Sequence, residues 1–436
     1  MEETNLQSFR ERRRRVRPAA FLVGFNMLNP TFFEIKICDT LGVSFSTLTL
    51  RERRGMSIGL KEIRSAREAI ASSVDRTPLV TSRSLSLRAG LPVYLKLENL
   101  QKTGSFKIRG AANRLSLLTA AERRRGVIAA SAGNHAQGVA LAARTLHVAS
   151  TIVMPEGASL AKQEATRSYG ARIIIKGKSF DEAMKEARRI AEAEGKVLIH
   201  AFDDDAIVAG QGTLGLEILE EYPEIATILV PIGGGGLAGG VGAAVKGINP
   251  KIRVIGVTAP ARPTLADGIA VKHPGRRTRP LLERHLDQII SVREEEIAEA
   301  VLLLMEHKRI IAEGAGAVPL AALLNHGRGI RGPVCLIISG GNIDVTLLER
   351  IIERGLVRTG RLLRLSVVIP DRPGALAGLT HAVGHLGANI VHIVHDRLSL
   401  NLPLSETRVE LSLETRGPDH NREILAGLEH LGYLLL

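Results

Sequence analysis

An α/β architecture with an open parallel sheet, extended at its C-terminal end by a small α+β unit, is what the sequence predicts. Three observations carry that expectation. From residue 93 onward short apolar runs alternate with segments of helical period, as strands joined by crossover helices do. Three glycine-bearing turns follow immediately on three of those runs. Beyond Arg361 the order becomes β-α-β-β-α-β, the split arrangement of ferredoxin-like units.

Taken in order, the first 55 residues stand apart. Six of the nine phenylalanines lie there (Phe9, Phe21, Phe25, Phe32, Phe33 and Phe45), and no helical or strand period persists. The segment reads as lying outside the fold, as an upstream translation start would produce. A signal peptide is the rival reading, with residues 12–17 as its charged head and 19–25 as its apolar core. Asn26 interrupts that core, and no small-x-small cleavage site follows promptly. A chain starting at Met56 is therefore expected to keep full activity. Ser57 then caps an amphipathic helix running to Ala71. Buried strands are predicted at 93–97, 127–130, 151–154, 172–175, 228–231, 252–257 and 334–338, with helices such as 136–146 and 180–194 between them. In such sheets ligands bind beyond the carboxyl ends of the strands. Ser131, Gly233 and Ser339 each open a turn at such an end. The C-terminal unit reads as strand 362–369, a turn 371–374 with Pro373 as first helical residue, helix 375–386, strands 389–395 and 407–413, helix 422–431, and a short strand after Gly432. The predicted domains are thus an atypical extension at 1–55, a catalytic domain of two α/β subdomains at 56–358, and the α+β unit at 361–436.

Composition narrows the function. The chain has 436 residues, 45% of them hydrophobic, so two or three domains with large cores are within reach. Its 2 cysteines, Cys38 and Cys335, lie far apart and without metal-ligand spacing. That fits a cytoplasmic protein in a reducing compartment and argues against a disulfide scaffold or a zinc site. No apolar run approaches the roughly 18 residues of a membrane span. The net charge of +13 raises nucleic-acid binding, but the charges are mostly interspersed with acids along helices, and the one dense run lies at 12–17 without any nucleic-acid motif. A solvated surface that mildly favours anionic substrates is the reading preferred.

The chemistry centres on Lys107, in residues 104–110 (Gly-Ser-Phe-Lys-Ile-Arg-Gly). A lysine amine condenses with an aldehyde cofactor such as pyridoxal phosphate. Three further turns follow: Ser-Ala-Gly-Asn-His at 131–135, four glycines at 233–236, and Ser-Gly-Gly-Asn at 339–342. Glycines between a strand and a helix offer bare N–H groups to a phosphate. Each motif also has a bland reading: Lys107 a surface charge, the glycines a flexible turn, Ser339 a cap.

In this order and at these spacings, the four segments resemble the fold-type II pyridoxal-phosphate enzymes, and among them the threonine dehydratases (threonine ammonia-lyases). The resemblance covers nearly all the chain after residue 55. It implies that Lys107 holds the cofactor and, once freed by substrate, removes the Cα proton. Phe106 would pack on the cofactor ring, or serve only the core. Gly233, Gly234, Gly235, Gly236 and Leu237 would cradle the phosphate. Asn134 would bond the cofactor's 3′-oxygen, and Ser131, Ala132, Gly133, Asn134 and His135 would grip the substrate carboxylate, although His135 could merely orient the loop. Ser339 would pair with the pyridine nitrogen; a hydroxyl does not force that nitrogen to stay protonated, which suits β-elimination better than transamination. Glu313 matches a glutamate near the cofactor, with a surface helix cap as the alternative. Similar serine racemases carry a second serine where this chain has Ala132, so elimination is expected to dominate over racemisation.

The segment 258–262 lacks the carboxylate some relatives use for a cation, with no acid before Asp267, and no metal site is predicted. The basic stretch 276–279 reads as a solvated loop. The turn ending at Pro373 and Gly374, with the step to Asn389, resembles an ACT regulatory domain, which would bind an amino-acid effector and pair with another copy, giving a homodimer or homotetramer. The implied activity is deamination of L-threonine to 2-oxobutanoate, with L-serine as second substrate, isoleucine biosynthesis as the natural setting and isoleucine as the natural effector. The alternatives are a β-replacing enzyme of the cysteine synthase kind, a threonine synthase, or a non-catalytic amino-acid sensor.

Overall fold

The computed structural model describes residues 58–260, 264–271, 273–398 and 401–436. Ser57, the arginine run, Cys38 and the N-terminal phenylalanines lie outside the described residues. The chain enters through α1 (Leu60–Ile70), which buries Ile63, Ala66 and Ile70 on one face. There follow β1 (Leu79–Thr81), α2 (Arg83–Ala89), β2 (Val93–Leu97), α3 (Lys107–Ser116) and α4 (Ala120–Arg125). Next come β3 (Val127–Ala130), α5 (Asn134–Thr145), β4 (Ser150–Met154), α6 (Leu160–Ser168), β5 (Arg172–Ile175), α7 (Phe180–Glu194) and β6 (Val197–Leu198). The chain continues with α8 (Asp205–Glu221), β7 (Thr227–Pro231), α9 (Gly236–Ile248), β8 (Arg253–Thr258), α10 (Arg279–His285), β9 (Gln288–Ser291), α11 (Glu294–Lys308), α12 (Gly314–His326), β10 (Val334–Ile338) and α13 (Val345–Arg358). It closes with β11 (Leu362–Pro370), α14 (Ala375–His385), β12 (Asn389–Asp396), β13 (Glu406–Glu414), α15 (Pro418–His430) and β14 (Leu434–Leu435).

These strands form three sheets. The largest has the order β1-β2-β10-β7-β8-β9, parallel throughout except where β1 meets β2. A second, wholly parallel sheet runs β5-β4-β3-β6. Parallel strands buried on both faces need apolar residues at successive positions. Strand β7 shows it: Leu229 packs with Ile297, Val301 and Leu320 from α11 and α12, while Ile228 and Val230 pack with Leu214, Ile218, Val241 and Val245 from α8 and α9. Each such fully buried aliphatic side chain contributes about 1.5–3 kcal/mol. In the second sheet Ile128 and Val153 face Ala187 and Ile190 of α7, and Ala129 and Ile152 face α3 and α5.

The topology positions the site. β10 pairs with β2 and β7 on either side, and β7 pairs in turn with β8. The segments leaving β2, β7 and β10 therefore emerge side by side: the Lys107 segment, the tetraglycine loop and the Ser339 turn. A backbone bond from Phe106 N–H to the Ser339 carbonyl, at 3.1 Å, ties two of them directly.

The C-terminal sheet is antiparallel, in the order β12-β13-β11-β14, with its two helices on one face. Val409, Leu411 and Leu413 recur every second residue on β13, as a half-buried strand requires, and pack with Val367, Leu379, Val383, Ile424 and Leu428.

Several expectations need correction. Pro373 is not helical: Gly374 occupies the N-cap with φ +86°, a left-handed conformation, and α14 starts after it. Helix α15 begins at Pro418, four residues earlier than predicted, because proline suits the first helical turn, where its missing N–H has no partner to lose. Strands β1, β6 and β9 went unpredicted; they have 3, 2 and 4 residues, too few to show a period. The stretch 276–279 is only in part a solvated loop, with Arg276 and Arg277 exposed in a turn. Arg277 pairs with Asp205 at 2.8 Å, Thr278 is fully buried with its hydroxyl donating to the Gly234 carbonyl, and Arg279 opens α10.

Candidate active site

Lys107 is the first residue of α3, and its Nζ donates to the Ala201 carbonyl at 3.1 Å. The amine lies 5.1 Å from the centre of the Phe106 ring. Burial pulls its pKa down to about 8, against the opposing pull of the Glu313 charge. A neutral, nucleophilic amine is thus accessible near neutrality.

The glycine loop leaves β7 and opens α9, with Gly235 at φ +91° as N-cap. The loop is bare because its surroundings leave no room. A Cβ on Gly233 would come within 2.8 Å of Ile269, one on Gly234 would overlap the Phe202 ring, and one on Gly235 would lie 2.9 Å from the Thr278 hydroxyl. What remains open is backbone N–H at a helix N-terminus, a natural anion seat.

Asn134 opens α5. Its amide nitrogen donates to both oxygens of Glu313, at 2.8 and 2.9 Å, and its amide oxygen accepts from Asn342. Asn342 also donates to the Thr103 carbonyl at 3.0 Å. The orientation of Asn134 is therefore set by its neighbours. Glu313 is buried at the start of α12, not a surface cap, and burial raises its carboxyl to about 7 although the Asn134 bond opposes this. Ser339, just past β10, is buried against the cavity, and its hydroxyl makes no hydrogen bond to the described residues.

One cavity gathers Phe106, Lys107, Asn134, residues 233–236, Leu237, Glu313 and Ser339. Ser131, Ala132 and Gly133 are half-buried just ahead of α5, where the Ser131 hydroxyl accepts from Gly133 N–H at 3.2 Å. His135 sits elsewhere. It is buried in α5 with Nε2 3.0 Å from the Ile199 carbonyl, and burial, aided by the Lys107 charge, holds its pKa down to about 3. The cavity also holds residues that sequence reasoning missed: Ala201, Phe202, Gln211, Ile269 and Ala315. A fourth strand end was the available signal. The apolar run 197–199 stands directly before His200, but β6 within it has only 2 residues.

A lysine of lowered pKa, a loop of bare glycines at a helix N-terminus and a serine hydroxyl without a partner among the described residues suit the aldehyde, phosphate and ring nitrogen of pyridoxal phosphate, with the Asn134 amide, held by Glu313 and Asn342, in the same cavity. Fold and site thus define a pyridoxal-phosphate enzyme of fold-type II. Residues 70–340 match the family model described as pyridoxal-phosphate dependent enzyme, and the chain belongs to that family. It is 47% identical over 395 residues to the L-threonine ammonia-lyase of Thermotoga maritima, spanning 86% of this chain and 98% of that protein. Among solved structures it is similar to the processed form of threonine deaminase isoform 2 from Solanum lycopersicum, at 34% identity and TM-score 0.65, covering 70% of this chain and 88% of that one. Maize serine racemase is similar as well, at 35% identity and TM-score 0.64, covering 69% and 98%. The C-terminal unit is an antiparallel α+β fold consistent with an ACT-like domain. No described helix is long and apolar enough to cross a membrane.

Proposed function

We propose that the protein is a threonine ammonia-lyase, which converts L-threonine to 2-oxobutanoate and ammonia and accepts L-serine more slowly. The observation that carries this reading is the buried, depressed-pKa amine of Lys107 in one cavity with the glycine cup and Ser339, in a chain similar along most of its length to proteins named for that activity. When bound, pyridoxal phosphate supplies an electron sink for the Cα of an amino acid joined to it. The chain's own residues do the rest. The glycine N–H groups hold the phosphate, and Phe106 walls the cavity beside the lysine. Ser339 would offer the ring nitrogen a hydroxyl, which does not fix a charge there, an arrangement that suits β-elimination better than transamination. Ser131 and the N–H groups after it hold the substrate carboxylate. Lys107 takes the Cα proton.

Ala132 stands where similar serine racemases carry a second serine, and it offers no acid or base. Elimination should therefore prevail over racemisation, a point of weight because both activities occur among similar structures. Incubation with L-serine is predicted to give pyruvate, with D-serine at no more than a trace. D-serine at a rate matching pyruvate would contradict the assignment. The methyl group that separates threonine from serine is worth only about 1–3 kcal/mol in a pocket, so serine is expected to react.

Residues 56–358 form the catalytic domain and 361–436 an ACT-like effector unit that senses an amino acid near Pro373, Gly374 and Asn389. The enzyme works in the cytoplasm as a homodimer or homotetramer, and residues 1–55 take no part in catalysis. The exposed strand β12, at the edge of the C-terminal sheet, supports the pairing of copies.

A further inference from the structure

We infer that the buried charge cluster of Arg109, Glu98, Glu217 and Lys96 is a positioning device for Lys107, fixing α3 against α8 so that the lysine amine meets the Ala201 carbonyl. Arg109 lies two residues beyond Lys107 on α3 and is fully buried. Its Nε and Nη2 bond the two oxygens of Glu98, at 2.7 and 2.8 Å. Its Nη1 and Nη2 bond the two oxygens of Glu217, at 2.6 and 3.0 Å. A 3.3 Å contact from Nη1 to the Thr213 hydroxyl uses the fifth N–H of the guanidinium, and Nη2 lies 3.3 Å from the Asp75 carbonyl as well, sharing one of its two hydrogens. Lys96, also fully buried, reaches Glu217 at 2.8 Å and the Thr77 carbonyl at 2.6 Å, while the Thr77 hydroxyl donates to Glu98. Two cations face two carboxylates, and together they join β2, the turn after it, α3 and α8.

Such a cluster is a poor way merely to fill a core. Removing four ions from water largely offsets their attraction, and apolar side chains of similar volume usually hold a fold as well or better. Burial alone would raise the Glu217 carboxyl, yet Arg109 and Lys96 bring it below its ordinary value. What the ions add is direction. A guanidinium fork gripping carboxylates on both sides permits one relative placement of the helices.

That placement needs fixing here. Helices α3 and α8 cross with their backbones in contact: a Cβ on Gly210 would lie 2.6 Å from the Arg109 carbonyl, and one on Gly110 would overlap Gln211. At a glycine crossing few side chains interlock, Ile207 against Ile108 and Ala111 being the main apolar contact. Polar bonds add the direction that this packing lacks: beside the Arg109–Glu217 fork there are Gly110 N–H to Gln211, 3.2 Å, and Asn113 to the Ala206 carbonyl, 2.7 Å. Gln211 itself lines the cavity, and α8 starts four residues after Ala201. A slide of α3 along α8 would carry the Lys107 amine away from its acceptor.

The inference rests on Lys107 being the reactive amine of the proposed function. Two variants of the cofactor-loaded enzyme test it. Lys96→Met with Glu217→Gln removes one charge of each sign. Thr213→Val removes a single neutral partner of Arg109 and leaves every charge in place. Three quantities are read: the thermal midpoint, kcat and KM for L-threonine, and the pH midpoint of the cofactor's visible absorption. In the double variant the expected result is a thermal midpoint equal to or above the parent's, KM little changed, and kcat lower by about 10- to 100-fold, as ångström-scale misplacement produces. The absorption midpoint is expected to move as well. Thr213→Val should show the same split to a smaller degree, and it decides the matter should the double variant fail to fold. Parental kcat and absorption midpoint in a folded variant, whatever happens to thermal stability, would overturn the inference. The absorption midpoint needs no substrate, so it reports on Lys107 even if L-threonine proves not to be the substrate.

Discussion

At the scale of single residues, Lys107 is set by its surroundings rather than by its own chemistry. Burial lowers its pKa to about 8, and the Glu313 charge limits the fall. A base must be deprotonated to act, and kcat reports the groups of the substrate complex. The kcat for L-threonine is therefore predicted to rise with pH through about 8 and to level above it, the protonated amine below that value being unable to accept a proton. Initial rates between about pH 6.5 and 9.5 check this; a kcat that stays flat or falls across the range would remove Lys107 as the base. Residues that act through side-chain chemistry were legible in the sequence. Lys107, Asn134, Glu313 and Ser339 all line one cavity. Those that act through a carbonyl or a surface were not: Ala201 lends only its backbone oxygen, and Phe202 and Ile269 lend only contact with glycines. Nothing in such a residue's type announces the role. His135 shows the converse, since a histidine inside a functional motif here serves the core.

Among the elements, the tetraglycine loop is the most sharply constrained. Gly234 faces the Phe202 ring with no space for a methyl group, whereas a Cβ on Gly133 would meet nothing within 4 Å. Gly234→Ala must displace either the loop or the ring. Its affinity for pyridoxal phosphate is predicted to fall at least about tenfold, or ~1.4 kcal/mol, as measured by absorbance titration. Gly133→Ala should bind the cofactor as the parent does; equal affinity in both variants would mean that the loop does not hold the phosphate. At this scale the long elements were legible and the short ones were not. The predicted strand at 93–97 and helix at 180–194 match β2 and α7 residue for residue. By contrast β1, β6 and β9 owe their strand form to neighbours in the sheet, a tertiary effect no local pattern carries. The same holds for Thr278, buried only because α10 packs beside the glycine loop.

At the scale of the whole molecule, the described residues join the body around the two parallel sheets to a unit with its own core. Val367, Leu379, Val409, Leu411, Ile424 and Leu428 pack together in the C-terminal unit, separately from the cores around the large sheets. The link is α13, held to α11 by Arg358–Glu299 at 2.9 Å and by Gly355 against Leu302. The pairs that cross to the C-terminal unit are Arg361–Glu306 and Arg364–Glu353; exposed pairs of this kind are worth about 0–1 kcal/mol, so removing residues 361–436 should leave the cores around the two parallel sheets standing. The truncated chain is predicted to keep its kcat and lose any response to isoleucine; equal sensitivity in both forms would place the effector site elsewhere. The central claim is that Lys107 drives loss of ammonia from threonine, and one measurement reaches it most directly. The purified protein is mixed with L-threonine while 2-oxobutanoate and the cofactor's visible absorption are followed together, beside Lys107→Ala. Steady 2-oxobutanoate formation that the substitution abolishes is the predicted result. A cofactor band that threonine perturbs without any 2-oxobutanoate, or undiminished turnover in Lys107→Ala, would contradict it.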